Sequence, residues 1–509
     1  MSLPLPGTPI ILDIGSAYIK VGFAGEPGPR FLFPCITGTE KYKSVMVDVN
    51  ARGIYVGNDV SRMRGVLKIK HPIERGAIMD WDSFYEIINY IFYSLLRIEN
   101  LAEYPVFYCE APFMHKETKE YIARLLFETY RIKSLIMMPS PLLSMFSVGL
   151  TTGLVIDSGD GLTWVCPIIN GQMISHAVQK LTLAGLDVNH NLKNLLMREG
   201  INITSSAADE IIQEIKEKNC YFVLDPNDPP KTGEPFNVAM PDGSSIKVAN
   251  RILYEAPEVL FNPGMLGYAN VMSLPQAVIA SLSAIDNTHW HDLLSHIIFS
   301  GGNLSYSGFE QRFESELTTF LPQLGTIPRP KPTLSGVKNE LIKLKTVQLS
   351  KKSSDTCSHC GAVLDLSSGI EHCPSCGGRL SLPEIKIDLS SSGKKTKSEN
   401  KNGKCPHCKK EITDTASLFC PYCGRSMETL EKPNIPKDLM EKTPTPGFSE
   451  YMESSNKAIK TFIPENLQFA TFNGAAILGS LPSFQKLFIT YELFKSNPEL
   501  LYRDISEIL

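Results

Sequence analysis

The chain has 509 residues, which exceeds the size at which a single hydrophobic core stops growing, so two to four domains are expected. A formal net charge of -4, with 20% charged residues, provides no overall field strong enough to indicate nucleic acid or a membrane as the main partner. No run approaches the roughly 20 apolar residues that cross a bilayer, and the start lacks a basic segment followed by an apolar one. We therefore expect a soluble, cytoplasmic protein without a membrane partner.

Two apolar runs, each long enough for a buried strand, end in related phrases. The first ends in Asp13-Ile14-Gly15-Ser16 and the second in Asp157-Ser158-Gly159-Asp160-Gly161. Glycine after a strand lets the turn bring backbone N–H groups against an anion without a Cβ atom in the way. Two carboxylates, Asp13 and Asp157, facing a polyphosphate suit a hydrated Mg²⁺ or Ca²⁺. A single phrase is equally typical of a strand that ends in an Asx turn, but the pair indicates one nucleotide between two related lobes.

From its start, the chain alternates short apolar strands with amphipathic helices, as in an α/β protein. A helix is predicted over residues 83–97, where Ser83 and Glu86 form a capping box and apolar residues follow the i, i+3, i+4 rule. Another helix is predicted over residues 207–218, with Ser206 as its N-cap.

The composition changes near Gly325, where segments rich in Pro, Ser, Lys and Gly begin. We assign residues 326–456 to an insert, and residues 1–325 and 457–509 to the α/β body. Because the last stretch is too short for a domain of its own, we expect it to pack back on the first lobe and to end in a helix over residues 483–494.

The twelve cysteines form two groups. Four are single residues in apolar surroundings and are predicted to be buried thiols: Cys35, Cys109, Cys166 and Cys220. The other eight form four C-x-x-C pairs: Cys357 with Cys360, Cys373 with Cys376, Cys405 with Cys408, and Cys420 with Cys423. Each pair places two thiolates on one turn, and two pairs complete a tetrahedral Zn²⁺ site. Residues 357–376 and 405–423 therefore resemble a double zinc ribbon with two Zn²⁺ ions.

The role of these ribbons is indicated by their surroundings. Seven lysines lie between residues 394 and 410 against the single acid Glu399, which favours contact with phosphate. Each Zn(Cys)₄ centre carries a charge of about -2 when its thiols are ionised, and this offsets much of the lysine excess. Phe419 and Tyr422 are few aromatic residues for stacking on bases. We favour an arm that binds a protein partner, and nucleic-acid binding stays open as the alternative.

The chain resembles the actin and actin-related protein family in five segments, in the family's order: DIGSAYIKVGFAGEPGPRFLFP, IYVGNDVSRMRGVLKIKHPIERGAIMDWD, VIDSGDGLTWVCPIINGQMISHAVQKLTLAGLD, IIFSGGNLSYSG and FNGAAILGSLPSFQKLFIT. The resemblance covers residues 1–325 and 457–509. It implies an α/β, actin-like two-lobed ATPase fold, with duplicated ribonuclease-H-like lobes and four subdomains. It also implies ATP with Mg²⁺ or Ca²⁺ in the central cleft. The outer subdomains would span about 35–71 and 184–273.

The resemblance assigns roles to individual residues of this chain. The first phosphate loop would contain Asp13, Gly15, Ser16 and Lys20, and the second Asp157, Ser158, Gly159, Asp160 and Gly161. The adenosine would be enclosed by Gly185, Lys216, Glu217, Gly301, Gly302 and Tyr306. Asp13 and Asp157 would hold the cation largely through water. Gly302 would let a flat purine lie on the backbone.

Four positions depart from the family's pattern. Ser140, between two prolines, stands where the family has a Gln that positions the attacking water, and Trp164 replaces a His. Ser is too short to reach that water, and an indole N–H only donates, so it does not relay a proton. Positioned proton transfer contributes about 10²–10⁴-fold, so hydrolysis is expected to be slow. Gln213 and Gln468 stand where the family commonly has Arg and Lys, which bears on nucleotide affinity and base preference.

These observations predict an actin-related, ATP-binding cytoskeletal or regulatory protein, at most a slow ATPase, with a zinc-ribbon arm. Its expected partners are other actin-family subunits or actin-binding proteins. The alternative is a zinc-ribbon regulator of nucleic acid built on an actin-like body. Val45, Met46 and Val47 resemble the actin loop that inserts into the next subunit, but an ordinary hairpin with one apolar face fits them equally well.

Overall fold

A computed structural model describes residues 4–41, 53–203, 207–226, 228–229, 235–239, 245–268, 270–324 and 459–502. The chain divides into two units, residues 1–331 with 446–509 and residues 332–445, and every described residue lies in the first unit. The loop at residues 45–47, Ser206 and both predicted zinc ribbons lie outside the described residues. The bounds assigned to the insert stay a prediction.

The first lobe is built on a five-stranded sheet. Its strand order is Leu135–Pro139, Val106–Glu110, Ile10–Ile14, Tyr18–Phe23 and Phe31–Pro34. The first three strands run parallel, and the last two continue from Ile10–Ile14 as antiparallel neighbours. Ile10 and Leu12 face the core of the first lobe, whereas Ile11 faces a second apolar layer. The first three residues of Ile10–Ile14 are all apolar because both faces of the sheet are covered there.

The second lobe repeats this arrangement. Its strand order is Gln172–Met173, Thr163–Ile169, Gly153–Ser158, Ile297–Ser300 and Thr461–Phe462, and Gln179–Leu181 also pairs with Thr163–Ile169. Gly153–Ser158 forms an antiparallel hairpin with the next strand and a parallel pair with Ile297–Ser300. Leu154 and Ile156 face the core of the second lobe, and Val155 faces the same second apolar layer as Ile11. The two lobes therefore share one hairpin-and-sheet design, as the paired phrases predict.

Smaller sheets form the outer parts of the lobes. Thr37–Glu40, Ile54–Val56 and Leu67–Lys70 make a three-stranded antiparallel sheet within the predicted outer subdomain at 35–71. Ile73–Glu74 pairs with Ala77–Ile78, and Phe236–Ala239 pairs with Ser245–Val248. Ile36, Val60 and Leu67 give the first of these sheets a small core of its own.

Helices cover both sheets. The α-helices are Asn58–Arg62, Trp81–Asn89, Lys116–Arg124, Ser140–Ser147, Gly185–Arg198, Ala208–Asn219, Asn250–Glu255, Leu274–Ser283, Trp290–Leu294, Phe309–Phe320, Ala470–Ser480, Pro482–Gln485 and Tyr491–Ser496. Tyr90–Leu95 and Leu125–Thr129 are π-helical turns. Short 3₁₀ turns occur at Leu101–Glu103, Ser175–Ala177, Pro257–Leu260, Pro263–Leu266, Asn287–His289, Gly302–Leu304, Leu321–Gln323, Leu467–Phe469 and Pro498–Tyr502.

The helix predicted over residues 83–97 begins two residues earlier, at Trp81. Its N-cap is Asp80, whose Oδ1 accepts a hydrogen bond from the backbone N–H of Ser83 at 3.0 Å. The predicted capping box at Ser83 was wrong because the Ser83 hydroxyl is buried and bonded to Thr37. The helix predicted over residues 207–218 is present as Ala208–Asn219, with Ala207 at the N-cap position.

The final stretch returns to both lobes instead of the first alone. Thr461–Phe462 joins the second sheet beside Ile297–Ser300, while Phe494 enters the core of the first lobe. The single helix predicted over residues 483–494 is two short helices, because Ile489 between them exchanges backbone hydrogen bonds with Leu135 at the edge of the first sheet. An edge strand offers unpaired backbone groups, and satisfying them keeps this segment extended.

The second apolar layer, which Ile11 faces, lies between the two sheets. It contains Ile11 of the first sheet, Val155 of the second, and residues of helices Ser140–Ser147 and Ala470–Ser480. The two helices pack closely, and a Cβ atom on Gly474 would lie 1.9 Å from the carbonyl oxygen of Leu143. This shared layer joins the lobes below the cleft. The four single cysteines are buried as predicted.

Candidate nucleotide-binding site

A cleft of about 840 Å³ lies between the lobes, at the ends of the central strands. Fourteen of the fifteen residues predicted to bind nucleotide line it: Asp13, Gly15, Ser16, Lys20, Asp157, Gly159, Asp160, Gly161, Gly185, Lys216, Glu217, Gly301, Gly302 and Tyr306. Ser140, Trp164, Gln213 and Gln468 line it as well. Residues far apart in sequence are thus brought to one site.

Ser158 is the predicted residue that does not line the cleft. Its side chain is fully buried, and its Oγ accepts a hydrogen bond from Asn303 Nδ2 at 2.9 Å and lies 2.6 Å from Thr163 Oγ1. Gly301, at φ 89°, packs on the Ser158 backbone so closely that a Cβ atom there would lie 2.1 Å from the Ser158 carbonyl oxygen. Ser158 therefore ties the second loop to the Gly301 turn.

The first hairpin places Asp13 directly opposite Lys20 on the adjacent strand. Lys20 Nζ donates to Asp13 Oδ2 at 2.9 Å, and both side chains are mostly buried. The turn is closed by a hydrogen bond from Gly15 N–H to the Tyr18 carbonyl at 3.1 Å. Ser16 Oγ accepts from the backbone N–H of Gly76 at 3.2 Å. The loop therefore presents a carboxylate, an ammonium group and a hydroxyl to the cleft.

The second hairpin places Asp157 opposite Trp164. Asp157 Oδ2 accepts from Ser140 Oγ at 2.9 Å. Burial raises the pKa of Asp157, while hydrogen bonds from Ser140 and Ser300 act in the opposite direction. Gly161 faces the first lobe, and a Cβ atom on it would lie 2.8 Å from Ser16 Oγ. Glycine at this position lets the two phosphate loops approach each other.

Lys216 and Glu217 of helix Ala208–Asn219 line another part of the cleft. Lys216 is buried and donates to the Gly185 carbonyl at 3.2 Å, with Asp160 Oδ1 at 3.5 Å. Burial lowers the pKa of Lys216, and the carboxylates of Asp160 and Glu217 partly offset this. Glu217 accepts from Tyr18 OH at 3.3 Å and from the Gln213 amide. This part of the cleft therefore contains an ammonium group and carboxylates that already have partners, together with the amide of Gln213.

Gly302 leaves open space on the cleft side of its backbone. The nearest atom to a Cβ placed on Gly302 would be Gln468 Cγ, at 3.8 Å. Tyr306 is buried nearby, and its hydroxyl donates to Asn303 Oδ1 at 3.1 Å. Burial raises the pKa of Tyr306 well above its ordinary value. An open glycine backbone beside a buried phenol suits a flat apolar ring.

Sequence reasoning missed two residues that cross the cleft. Tyr18 of the first lobe bonds to Glu217 of the second, and burial together with Glu217 raises the pKa of Tyr18 to about 12. Arg75 of the first lobe donates to both carboxylate oxygens of fully buried Asp187 at 3.0 and 3.2 Å. Tyr18 lies two residues after Ser16, inside the first phosphate loop, but its partner is 199 residues away.

A further cross-lobe contact lies at Glu210, which accepts from Ser61 Oγ at 2.9 Å and forms an ion pair with Arg64. Together with the Tyr18 and Arg75 contacts, it holds the lobes in a closed arrangement.

The side chains at the predicted hydrolytic positions are poorly suited to positioning water. Ser140 begins helix Ser140–Ser147, and its hydroxyl is already bonded to Asp157. Trp164 is 5% exposed, with its ring 6.1 Å from that of Phe113 and 5.4 Å from Lys180 Nζ. Neither position offers an acceptor that takes a proton from water near neutral pH.

Among the described residues, no group of three or more His, Cys, Asp or Glu side chains is arranged to hold a metal ion directly. Asp13 and Asp157 face one cleft, and two such carboxylates beside phosphate oxygens suit Mg²⁺ with several retained waters. No helix among the described residues is long and apolar enough to cross a membrane.

Comparison with models of protein families gives two matches. The actin family model matches residues 5–333, and the double zinc ribbon model matches residues 357–424. The first match covers well over half of the 509 residues. All eight cysteines predicted to bind zinc lie within the second match. The chain therefore belongs to the actin family and carries a double zinc ribbon module.

Proposed function

We propose that this chain is a cytoplasmic, ATP-binding actin-related protein that acts as a cytoskeletal or regulatory component and hydrolyses ATP slowly. The observation that carries the proposal is the convergence of both phosphate-loop hairpins and the Gly301–Gly302 turn on one cleft. Asp13 and Asp157 would hold Mg²⁺ largely through water, and the cation would neutralise the phosphates. Lys20 and the backbone N–H groups of both loops would contact the phosphate oxygens.

In this proposal ATP is mainly a conformational ligand. Tyr18, Arg75 and Arg64 of the first lobe all reach acceptors on the second. A nucleotide that contacts both hairpins adds to these contacts and favours the closed arrangement. Slow turnover follows from Ser140 and Trp164, since neither activates nor positions an attacking water.

The zinc module is proposed to bind a protein partner, and the protein as a whole is proposed to bind other actin-family subunits or actin-binding proteins. The alternative, contact with nucleic acid, is favoured by the seven lysines between residues 394 and 410. Binding to mixed DNA or RNA separates these two cases, because phosphate contacts give a steep dependence of affinity on salt concentration. Co-sedimentation with candidate actins, with and without ATP, tests the favoured case. A steep salt slope without actin binding would support the alternative.

The central claim is tested by thermal unfolding with and without Mg-ATP. A ligand that binds only the folded state, at 100 times its Kd, adds about 2.7 kcal/mol to the free energy of unfolding. We therefore expect a clear rise in the melting temperature of the actin-like body. Equal melting temperatures at saturating Mg-ATP would contradict ATP binding.

The zinc assignment is tested by metal analysis of the purified full chain. We expect two Zn²⁺ per chain, held by the eight cysteines of the C-x-x-C pairs. Chelation is expected to leave the melting temperature of the actin-like body unchanged. Well under two equivalents of zinc, or melting of that body on chelation, would show the assignment to be wrong.

A further inference from the structure

Tyr18 makes a hydrogen bond that crosses the cleft from one lobe to the other. Its hydroxyl lies 3.3 Å from Oε1 and 3.4 Å from Oε2 of Glu217. Tyr18 begins strand Tyr18–Phe23 of the first lobe, and Glu217 belongs to helix Ala208–Asn219 of the second. Both residues line the cleft. This hydrogen bond therefore joins the two walls of the cleft from inside it.

The register of the first hairpin directs Tyr18 towards the second lobe. Lys20 lies opposite Asp13 in this hairpin, and Tyr18 precedes Lys20 by two residues. Because side chains alternate between the two faces of a strand, Tyr18 lies on the same face as Lys20 and Asp13. Ile11, on this face of the neighbouring strand, lies in the apolar layer between the two sheets. The face that carries Tyr18 is therefore the one that meets the second lobe.

The donor and the acceptor of this hydrogen bond are both well defined. Burial and the Glu217 carboxylate raise the pKa of Tyr18 to about 12, so the phenol keeps its proton near neutral pH. Glu217 also accepts from the amide of Gln213, one helical turn earlier, which holds the carboxylate in place. A hydrogen bond to a carboxylate is stronger than one between two neutral groups.

The position of this hydrogen bond distinguishes it from the other two cross-lobe contacts described above. Neither Arg64 nor Glu210 lines the cleft, so their ion pair lies outside it. Arg75 lines the cleft and Asp187 does not, so that ion pair leads out of the cleft into the second lobe. Of these three contacts, the one made by Tyr18 has both partners beside the space for a ligand.

We propose that the hydrogen bond between Tyr18 and Glu217 is a strap that slows nucleotide exchange. This inference rests on the proposed nucleotide-binding function. A nucleotide that contacts both phosphate-loop hairpins has a lobe on either side, so the lobes must part before it enters or leaves, and parting them breaks the strap. The strap joins two protein groups and holds the closed arrangement with or without nucleotide. It therefore slows entry and exit by the same factor and leaves the Kd unchanged.

The test is the exchange of radiolabelled Mg-ATP on the full chain. Tyr18→Phe removes the hydroxyl of the strap and keeps the ring. We expect this variant to raise the dissociation rate, measured by a chase with unlabelled Mg-ATP, by about 3- to 10-fold, as the loss of one hydrogen bond predicts. The association rate should rise by the same factor, so the Kd measured by equilibrium dialysis should match that of the wild type.

Tyr502→Phe is the matched control. It also removes a hydrogen bond from a tyrosine hydroxyl to a glutamate, since Tyr502 OH donates to Glu120 Oε1 at 3.0 Å. Tyr502 packs against the core of the first lobe, and neither Tyr502 nor Glu120 lines the cleft. Both exchange rates of this variant should equal those of the wild type.

The outcomes separate the strap from the function on which it rests. Unchanged rates in Tyr18→Phe, or an equal rise in Tyr502→Phe, would show that the strap does not limit exchange. A Kd that rises with the dissociation rate, at a constant association rate, would show that Tyr18 binds the nucleotide directly and that the strap is wrong. In these cases the ATP-binding function stands. If Mg-ATP does not bind the wild type, both proposals fail. Unfolding curves without nucleotide establish that each variant is folded.

Discussion

The two phosphate-loop hairpins share a backbone design and differ in what faces the aspartate. In the first lobe Asp13 lies opposite Lys20, which neutralises it at 2.9 Å. In the second lobe Asp157 lies opposite Trp164 and receives a hydrogen bond from Ser140. The opposing residue follows the aspartate by seven positions in both hairpins, so the same cross-strand site carries a cation in one lobe and an indole in the other.

This difference shows that two hairpins with the same backbone arrangement can give their aspartates different surroundings. Cross-strand neighbours are the closest side chains that a hairpin offers to each other. In the first hairpin this pair creates a polar, charged surface that suits phosphate. In the second it leaves Asp157 beside hydroxyl groups and a mostly buried ring, so burial raises the pKa of Asp157. The same cross-strand position therefore carries a cation in the first hairpin and, in the second, an indole whose N–H donates a hydrogen bond but does not relay a proton.

The largest expected effect comes from removing either aspartate. Asp13→Ala and Asp157→Ala should each abolish the expected rise in melting temperature with Mg-ATP, because both carboxylates hold the cation in the proposed site. Thermal unfolding with Mg-ATP, and with ATP plus a chelator, measures this. Asp209→Ala, on the exposed start of helix Ala208–Asn219, is the matched control. A variant that keeps the full shift would show that its hairpin does not hold the cation.

A smaller effect is expected in the apolar layer between the two sheets, where helices Ser140–Ser147 and Ala470–Ser480 pack together. Gly474→Ala should lower the free energy of unfolding by about 1–3 kcal/mol, because the added methyl group collides with the Leu143 carbonyl between two packed helices. Chemical denaturation measures the change. Gly28→Ala adds the same methyl group where the nearest atom is 3.9 Å away and should cost much less. Equal effects of the two variants would contradict the close packing at Gly474.

A smaller effect is expected from restoring water-handling groups to the second hairpin. Ser140→Gln combined with Trp164→His should speed phosphate release by about 10-fold or more, since positioned proton transfer contributes at least that much. Single-turnover hydrolysis of radiolabelled ATP measures the rate. Pro139 and Pro141 constrain the backbone around Ser140 and can keep the side chain introduced by Ser140→Gln from reaching the water. The decisive measurement is therefore the hydrolysis rate of the wild type. Hydrolysis by the wild type as fast as by a conventional actin would contradict the slow turnover.

The smallest expected effect is at the cross-lobe contact of Tyr18. Tyr18→Phe should cost about 0.5–1.5 kcal/mol near neutral pH, because it removes one hydrogen bond to Glu217. The pKa of Tyr18 is raised from 10.0 to about 12, so the folded state holds the phenolic proton more tightly than the unfolded state. The advantage of the wild type over Tyr18→Phe should therefore fall as the pH rises above about 10. A constant difference between pH 8 and 11 would contradict this.

Sequence reasoning worked where a local pattern carried the information. Each strand that ends in an Asp-containing, glycine-rich phrase was predicted from consecutive residues, and both ends line the cleft. Helix Ala208–Asn219 was predicted to within one residue from its apolar spacing. The predicted start of helix Trp81–Asn89 was wrong because both Asp80 and Ser83 can cap a helix. The Ser83 hydroxyl is buried and bonded to Thr37, so Asp80 caps the helix instead. Which residue caps the helix therefore depends on Thr37, which lies in the outer three-stranded sheet, far from Ser83 in the sequence.

By itself, the sequence indicated the actin-like fold through five segments that resemble the family, and it predicted the two strand-ending aspartates and the four C-x-x-C pairs from residues close together in the chain. Only the tertiary structure decided that Tyr18 meets Glu217, that Arg75 meets Asp187, and that Ser158 faces away from the cleft. Pairs separated by 199 and 112 residues leave no periodic signal in the sequence. Their contacts exist because the shared apolar layer, which contains residues of both sheets, holds the two lobes together.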